Sequence, residues 1–316
     1  MPQLRLRRTT RTTQPAPGPQ HMHRGTGSRA VVVTVVRDEA EMLPRWVTYY
    51  GEQLGYDNLV VFDDNSRDGS TDDLPCTVHR LPELDATRVP FEKARMDLVS
   101  RATNGFLSWY DVAVFTDVDE FLVPDPAKHD GLQSYLAART DRPAVGALGL
   151  NVVHHPSEGP IDASKPVLGQ RRFAKFVPLM CKPAVKRVPT EWTAASHGIR
   201  TPFEVDPELF MLHLKFYDRD ALRRTAEHRL AMVEADGRAA GSSWAKGGDA
   251  MVDVLDEAVA GVDPQSVPEF DPGSIDPSGL VIEDPKEGYR TVKVGQIRAM
   301  QGQPLVRIPE RLWGLV

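Results

Sequence analysis

Three continuous apolar runs in the first half of the chain predict three strands of one sheet. They occupy residues 30–36, 58–62 and 112–115 and are rich in valine. Unbroken β-branched runs are typical of strands that are covered on both faces, as in a parallel sheet. Between the first two runs, apolar residues recur at helical spacing after a proline that suits a first helical turn. These residues are Trp46, Val47, Tyr50 and Leu54. The pattern predicts a strand, helix, strand unit of an α/β fold.

Three further segments in the second half of the chain predict strands of two kinds. Residues 145–153 are mostly apolar and indicate a further strand of the sheet. Residues 171–177 and 182–188 alternate basic with apolar side chains, which is typical of half-exposed strands. The sheet is therefore predicted to continue beyond the first three strands.

Helical spacing of apolar residues predicts further helices that begin near Phe91 and occupy residues 221–234 and 251–259. The apolar stripe predicted for the first of these helices comprises Phe91, Ala94, Leu98 and Ala102. Residues 262–285 are rich in proline, aspartate and glycine, so we expect an extended linker there. One alternating run at residues 291–297 follows, and the chemistry of this end of the chain is not predicted.

Charged residues follow each of the three N-terminal apolar runs. Arg37 and Glu39 follow the first run, Asp64 the second, and Asp117 and Asp119 the third. Right-handed crossovers place these loops at one edge of the sheet, where open α/β sheets bind ligands. Because side chains alternate along an extended strand, Asp117 and Asp119 are expected to point the same way and to form a binding site for a divalent cation. An acidic turn at a strand end is the alternative interpretation.

The acidic loop at residues 63–72 suggests recognition of a nucleoside. Its carboxylates are unsuited to phosphates, but Asp64 could accept hydrogen bonds from a ribose diol or a base N–H. A polar turn that caps a following helix is the alternative. Lys93 and Arg95 lie off the apolar stripe of the next helix, and either could reach a diphosphate or belong to an exposed helix face.

Composition and charge narrow the classes of function. The chain has 316 residues and is 41% hydrophobic, enough for a large α/β domain with an appendage. Residues 1–28 contain five arginines and no acid, although the net charge of the chain is −6. We expect this tail to be disordered, either simply solvated or in peripheral contact with an anionic membrane. The acidic remainder argues against nucleic acid as a partner.

Hydropathy and cysteine usage bear on the compartment. No apolar run approaches the roughly 20 residues that span a membrane, and the N-terminal residues lack a signal-peptide core. Cys76 and Cys181 lack the spacing of a zinc site, so reduced thiols are expected. These observations predict a cytoplasmic protein.

Three ordered segments carry a resemblance to a known class of enzyme. The chain contains, in this order, R-D-E-A-E-M-L-P-R-W-V-T-Y-Y, L-G-Y-D-N-L-V-V-F-D-D-N-S-R-D-G-S-T-D and F-T-D-V-D-E-F-L-V. They closely resemble the N-E-x-x-x-L-x-E-W, D-N-x-S-x-D-G-T and D-x-D-E-F segments of glycosyltransferases of the family 2 and family 92 type. The resemblance covers residues 30–125 firmly and residues 170–230 loosely.

The resemblance implies a GT-A fold, a nucleotide-sugar donor and a divalent cation, usually manganese or magnesium. Carried over by position, Glu39 and Asp64 would contact the nucleoside, Asp117 the ribose or a metal-bound water, and Asp119 the metal. A Lewis-acid cation that bridges the phosphates would lower the barrier to breaking the sugar–diphosphate bond. The whole nucleotide-sugar site would comprise Arg37, Glu39, Asp64, Lys93, Arg95 and Asp117. The chain departs from the family pattern at Asp38, Arg45 and Gly51, and Gly51 removes a side chain that could touch the acceptor.

Two histidines are candidates for the metal shell or for catalysis. An imidazole ligand would shift the preference from magnesium towards manganese. His213, within an apolar run, is either a hydrogen-bonded core residue or a metal ligand, and related transferases carry an H-Y or H-x-x-x-S segment there. His197, in a glycine-flanked loop, is better placed for the acceptor or as an alternative ligand. We assign catalytic roles to His197 and Asp119, and metal binding to Asp117, Asp119 and His213.

The combined hypothesis is a metal-dependent glycosyltransferase with an α/β, GT-A-like, mostly parallel sheet flanked by helices and a C-terminal extension on the acceptor side. The predicted units are the basic tail at residues 1–28, the transferase domain at 29–235 and an appendage at 236–316. Within the domain, residues 29–125 form the nucleotide-sugar half and residues 126–235 the acceptor half. Two alternatives stay open: a catalytically silent sugar- or nucleotide-binding scaffold, and a nucleotidyltransferase, whose glycine- and lysine-rich phosphate loop is missing here. The donor sugar, the acceptor and the oligomeric state are not predicted.

Overall fold

The computed structural model describes residues 28–84, 87–236, 245–292 and 300–316. The helices in these ranges are α1 (Leu43–Leu54), α2 (Arg88–Phe106), α3 (Leu132–Ala138), α4 (Arg219–Asp236) and α5 (Gly248–Val259). The first seven strands are β1 (Ala30–Val36), β2 (Leu59–Asp63), β3 (Thr77–Arg80), β4 (Val112–Phe115), β5 (Glu120–Pro124), β6 (Ala144–Val153) and β7 (Phe173–Phe176). The other strands are β8 (Val185–Lys186), β9 (Trp192–Thr193), β10 (Gly198–Ile199), β11 (Glu204–Phe216), β12 (Val281–Asp284), β13 (Gly288–Thr291) and β14 (Leu305–Arg307).

A mixed sheet of ten strands forms the body of the protein, in the order β14-β7-β6-β8-β4-β1-β2-β3, with β11 pairing β6 and β5. The strands β3, β2, β1 and β4 run parallel to one another. The strands β8, β7 and β14 extend the sheet in antiparallel pairs. The α/β prediction is therefore confirmed, and the parallel strands lie in the half of the sheet that carries the predicted donor loops.

The helix α2 packs on β1 and β4, but with a different face from the predicted one. Its buried residues include Met96, Val99, Ser100 and Thr103. The predicted stripe, Phe91, Ala94, Leu98 and Ala102, is only half-buried. The prediction of this face was wrong because hydrogen bonds let polar side chains take core positions. Thr103 Oγ1 donates to the Val99 carbonyl at 2.6 Å, and Ser100 Oγ accepts from the Trp192 N–H at 2.9 Å.

The two basic, alternating segments are buried, so the prediction of half-exposed strands was wrong. Lys175 of β7 is 3% exposed and Lys186 of β8 is 0% exposed. Lys186 Nζ donates to Asn104 Oδ1 and to the Thr190 carbonyl, each at 2.7 Å, and lies 4.3 Å from the centre of the Trp192 ring. These contacts offset the cost of burying the ammonium group away from water.

A second sheet of four antiparallel strands, in the order β12-β13-β10-β9, joins the C-terminal segment to the middle of the chain. At the edge of the main sheet, β14 pairs with β7. Strands beyond residue 236 thus complete sheets that begin before it, and the domain boundary at that residue stays a prediction. Within the described residues, no helix combines the length and the apolar character needed to cross a bilayer.

Two predicted segments lie largely outside the described residues. They are the basic tail, of which only residue 28 is described, and the alternating run at 291–297, of which only the first two residues are described. Both predictions stay as they are.

Candidate active site

The loops that follow β1 and β2 meet at one edge of the sheet, as predicted. The Asp38 N–H donates to Ser66 Oγ at 3.0 Å, and the Arg67 N–H donates to Asp38 Oδ1 at 2.6 Å. Asp64 is 5% exposed, and its Oδ2 lies 3.9 Å from Arg37 Nη1. Asp38 is thus used to join the two loops, while Arg37 and Asp64 form an ion pair beside the junction.

The segment between β4 and β5 is a tight turn. The strand β4 ends at Phe115 and β5 begins at Glu120, whose N–H donates to the Asp117 carbonyl at 3.0 Å. The expectation that strand alternation aligns Asp117 with Asp119 was therefore wrong, because both residues belong to the turn and not to an extended strand. Their side chains contact different partners.

Aromatic side chains of α1 form hydrogen bonds with residues on both sides of this turn. Trp46 Nε1 donates to Thr116 Oγ1 at 2.9 Å. The Tyr50 hydroxyl donates to the Glu120 carbonyl at 3.1 Å and accepts from the Leu122 N–H at 2.9 Å. Trp46 and Tyr50 are both fully buried, so their polar atoms bind the turn while their rings fill the core.

Asp119, Glu120 and His213 form a compact cluster, which we call the acid–histidine cluster. One potential ligand atom from each residue lies within 4.8 Å of the others. Strand register brings them together, because His213 of β11 is paired with Glu120 of β5 on one side and with Asn151 of β6 on the other. Paired residues of adjacent strands project from the same face of a sheet.

The imidazole of His213 is oriented by both neighbours. Its Nδ1 lies 2.7 Å from Asn151 Oδ1, and its Nε2 lies 3.4 Å from Asp119 Oδ2. With the Asn151 carbonyl oxygen as acceptor, Nδ1 carries the proton and Nε2 faces Asp119. Burial would raise the pKa of Asp119, but attraction to His213 outweighs it and lowers that pKa to about 2. Asp119 is therefore ionised at neutral pH, as a metal ligand must be.

Two buried cations hold Asp117 beside this cluster but outside it. Arg95 Nη1 lies 2.7 Å from Asp117 Oδ1, while Lys182 Nζ lies 3.1 Å from Asp117 Oδ2 and 2.5 Å from Glu120 Oε1. Burial would raise the pKa of Asp117, but Lys182 and Arg95 outweigh it and hold that pKa well below its usual range. Conversely, burial would lower the pKa of Lys182, and the two carboxylates outweigh it and raise that pKa.

A cavity of about 40 Å³ opens beside Asp119, with room for a few water molecules. Glu39, Lys215, Tyr217 and Arg229 are among its lining residues. Arg229 Nη2 of α4 lies 3.3 Å from Glu39 Oε1. Burial and the nearby positive charge of Arg229 lower the pKa of Lys215 to about 8. The cavity therefore brings three carboxylates, of Glu39, Glu41 and Asp119, and two basic groups together within the protein.

Glu39 gives the cavity a group that titrates near neutral pH. Burial raises the pKa of Glu39 from 4.5 to about 7, although attraction to Arg229 opposes the shift. Because the folded-state pKa exceeds the unfolded value, the contribution of Glu39 to stability is full below pH 4.5 and is lost as the pH rises to about 7. We expect Glu39→Gln to lose less stability over this range than the wild type, by up to about 3 kcal/mol.

Urea unfolding of the metal-free protein across this pH range would measure the difference. Glu52→Gln, on the exposed face of α1, is the matched control and should follow the wild type. Parallel stability curves for Glu39→Gln and the wild type would contradict the shift.

The structure brings most of the predicted site residues together. Glu39 and Asp119 line the cavity, and His213 contacts Asp119. Lys93 lies apart from them: it pairs with Asp97 at 2.5 Å on the solvent side of α2, with 74% of its side chain exposed. Arg95, on the same helix, contacts Asp117, and Lys93 does not. The donor-binding role of Lys93 stays a prediction without a contact to support it.

His197 lies near this group but is held by the backbone. Its Nδ1 lies 2.9 Å from the Leu179 carbonyl. Burial, followed by the positive charge of Lys182, lowers the pKa of His197 to about 3. The imidazole is neutral at pH 7, and its low pKa makes it a weak proton acceptor. The catalytic role of His197 stays a prediction.

Sequence reasoning missed several residues that the structure places at the site, namely Glu120, Asn151, Lys182, Lys215 and Arg229. The signal for Glu120 was present, since it is the third acid of the D-V-D-E segment. Lys182 belonged to an alternating segment that was interpreted as half-exposed, and it is 4% exposed. The sequence carries no signal for Lys182, because its burial and its carboxylate partners are known only from the structure.

The acid–histidine cluster makes a prediction about His213 and its neighbour Asn151. If Nε2 of His213 binds a metal, His213→Ala should weaken Mn²⁺ binding at least about 10-fold, and more than Mg²⁺ binding. Asn151→Ala should also weaken it, by about 10-fold, because Asn151 orients the imidazole. Isothermal titration calorimetry with both ions would measure these affinities.

The control for this prediction is His79→Ala, an exposed histidine of β3 that should leave both affinities unchanged. If His213 is instead a hydrogen-bonded core residue, we expect the opposite result. Its loss would cost about 1 to 3 kcal/mol with or without metal and would leave the affinity for Mn²⁺ at the wild-type value. That combination would assign His213 to the core.

Comparison with known proteins gives matches only among solved structures, since no protein-family profile and no curated sequence matches the chain. One is the mannosyltransferase PcManGT from Pyrobaculum calidifontis in complex with GDP-Man and Mn2+, with 21% identity, a TM-score of 0.25, and 40% of this chain and 36% of that chain covered. Another is the mannosyltransferase Ktr4p from S. cerevisiae, with 12% identity and a TM-score of 0.25. The match covers 39% of this chain and 40% of that chain.

A third similar structure is mannose-1-phosphate geranyltransferase from Thermus thermophilus, with 9% identity and a TM-score of 0.26. The match covers 74% of this chain and 65% of that chain. The matched part of this chain thus spans less than two thirds of the length of each of these proteins. At these low TM-scores, the chemistry of the site rests on the residues of this chain.

Proposed function

We propose that this protein is a divalent-metal-dependent glycosyltransferase that moves a sugar from a nucleotide-sugar donor to an acceptor, on a GT-A-like fold. The observation that carries the proposal is the acid–histidine cluster, which lies directly after β4 and is bordered by Glu39 from the first loop. Ligands occur at this edge of parallel sheets. The three ordered motifs of the sequence converge on the same place.

The donor set of the cluster suits a divalent transition ion. Two carboxylates and one neutral imidazole are acceptable ligands for Mn²⁺, and the imidazole favours it over Mg²⁺. Asp119, Glu120 and His213 would hold the ion. When bound, such a cation stabilises the negative charge that develops on a diphosphate leaving group.

Basic residues around the cavity would bind the donor phosphates. Lys215 and Arg229 both line the cavity beside Asp119, and guanidinium groups bind phosphate oxygens in pairs. Arg229 is paired with Glu39 at 3.3 Å in this structure. A bound diphosphate would offer Arg229 a second anionic partner, and Glu39 would then be available to the nucleoside.

Lys182 would keep the acidic turn in one conformation. Its ammonium group lies between the carboxylates of Asp117 and Glu120, which would otherwise repel each other inside the protein. Arg95 contacts the second oxygen of Asp117. Lys182 and Arg95 would therefore orient the carboxylate of Asp117 towards the ribose.

The experiment that tests the function is a panel of nucleotide sugars with and without Mn²⁺. A matching donor at about 100 times its Kd would stabilise the protein by about 2.7 kcal/mol, and only when the metal is present. The same donor should then release nucleoside diphosphate. Stabilisation without any release, even with candidate acceptors, would favour a binding protein that lacks catalytic activity. No stabilisation by any donor would contradict the proposal.

A further inference from the structure

A second cavity lies at the edge of the main sheet that β14 forms. Its volume is about 270 Å³, close to the lower end of the roughly 300–1,000 Å³ of small-molecule sites. It shares no lining residue with the cavity beside Asp119. We call it the Trp313 pocket, and the residues that carry the argument are Arg172, Gln265, Glu269, Arg307, Glu310 and Trp313.

The frame of the Trp313 pocket is built on paired strands. Arg307 of β14 is in register with Phe173 of β7, and Phe173 and Ile308 are 2% and 1% exposed. They form a buried apolar floor. Trp313 is 36% exposed, and its Nε1 donates to the Ile308 carbonyl at 3.3 Å. The indole is therefore anchored at its polar edge while part of its apolar surface stays accessible to a ligand.

The walls of the pocket carry planar polar groups that are available to a ligand. Among the described residues, the side chains of Gln265, Glu269, Arg307 and Glu310 form no hydrogen bond or ion pair with one another or with the rest. Arg172 forms an ion pair with Glu158, with 3.8 Å between Nε and Oε1, and makes no side-chain hydrogen bond to it. Guanidinium, carboxylate and amide groups each present two hydrogen-bonding positions side by side.

We propose that the Trp313 pocket binds a neutral saccharide. Each hydroxyl of a sugar both donates and accepts, so a ring of hydroxyls matches a wall of arginine donors, glutamate acceptors and an amide that does both. The exposed face of an indole suits the C–H face of a pyranose ring, since Trp combines apolar area with few rotatable bonds.

The charge balance of the pocket selects against anionic ligands. The lining holds two arginines, Arg172 and Arg307, and two glutamates, Glu269 and Glu310, and Arg172 is also paired with Glu158, so the walls carry no net positive charge. A polyphosphate or a uronic acid would meet two carboxylates as well as two guanidinium groups, and like charges oppose binding. A neutral sugar incurs no such repulsion. The inference does not depend on the proposed transfer reaction, because it rests on residues outside the acid–histidine cluster.

Titration calorimetry of the full chain with methyl glycosides of mannose, glucose, galactose and N-acetylglucosamine, and with their disaccharides, would test the proposal. We expect saturable binding of at least one of these sugars. Trp313→Ala and Arg307→Ala should each weaken it by about 10-fold or more. Trp109→Ala, which removes a tryptophan that is 78% exposed and outside the pocket, is the matched control and should bind like the wild type.

The outcomes separate this inference from the proposed function. Arg307→Ala removes no side-chain hydrogen bond or ion pair within the described residues, so its fold should be unaffected and its binding defect interpretable. Asp119→Ala should bind the sugar with wild-type affinity even if donor turnover is lost. No saturable binding by any sugar of the panel, binding that both pocket variants leave unchanged, or a preference for glucuronate or inorganic pyrophosphate would each overturn the inference.

Discussion

Asp119→Ala is expected to abolish sugar transfer while the protein stays folded. The substitution removes an ionised carboxylate from the acid–histidine cluster, and a cation that stabilises a leaving group is worth several kcal/mol in the transition state. At 1.36 kcal/mol for each factor of ten, turnover should fall at least about 10³-fold. The fold should survive because Asp119 lies in a turn, where its side chain pairs with His213 and adds little to the apolar core.

Nucleoside diphosphate release and Mn²⁺ calorimetry, measured side by side, would test this expectation. Both should fail in Asp119→Ala, whereas circular dichroism should show a native fold, and the melting temperature of the metal-free protein should fall only by what the Asp119–His213 pair contributes. Asp111→Ala is the matched control, since Asp111 flanks the other end of β4 and pairs with Arg29 at the surface. Undiminished transfer by Asp119→Ala in the absence of metal would refute the assigned role.

The parallel half of the sheet could be predicted because its signals are local. The runs at β1, β2 and β4 are continuous, apolar and β-branched, and the polar residues that follow them had to lie at one edge once the strands were parallel. The spacing of Trp46 and Tyr50 likewise predicted α1. Local pattern therefore indicated which loops form the site, and it identified Asp119 and His213 as candidates.

The rest of the site depends on contacts between distant residues. His213 is opposite Asn151 only because β11 and β6 change register between Asp206 and Phe210. The sequence of an apolar run does not reveal such a register shift, because its residues suit either face of the sheet. Lys182 was missed for a related reason. Its partners lie 62 and 65 residues earlier in the chain, and an alternating basic pattern is typical of a solvated strand when those partners are unknown.

Lys182→Ala is expected to cause the largest loss of stability among single substitutions at this site. The variant would leave Asp117 and Glu120 facing each other inside the protein without the ammonium group between them. Removing one partner of a buried ion pair costs about 3 to 5 kcal/mol, because the remaining charge is uncompensated. Lys93→Ala is the matched control, since Lys93 is 74% exposed and its pair with Asp97 should contribute at most about 1 kcal/mol.

The pH dependence of this loss follows from Asp117. In the wild type, the depressed pKa of Asp117 contributes stability above its unfolded value of 3.8, and that contribution is lost as the pH falls towards the folded-state pKa. The variant loses the part that Lys182 supplies and keeps the part that Arg95 supplies, so the difference between the two proteins should shrink as the medium becomes more acidic. Urea unfolding at a series of pH values would measure the difference.

Manganese provides the sharpest check on the role of Lys182. With the ammonium group removed, Glu120 no longer pairs with Lys182, so Mn²⁺ bound by Asp119, Glu120 and His213 should stabilise Lys182→Ala more than it stabilises the wild type. The restored stability should be absent when Asp119 is also replaced by alanine, because that variant lacks a ligand of the same ion. A Lys182→Ala protein that unfolds like the wild type without metal would show that Lys182 does not neutralise the two carboxylates.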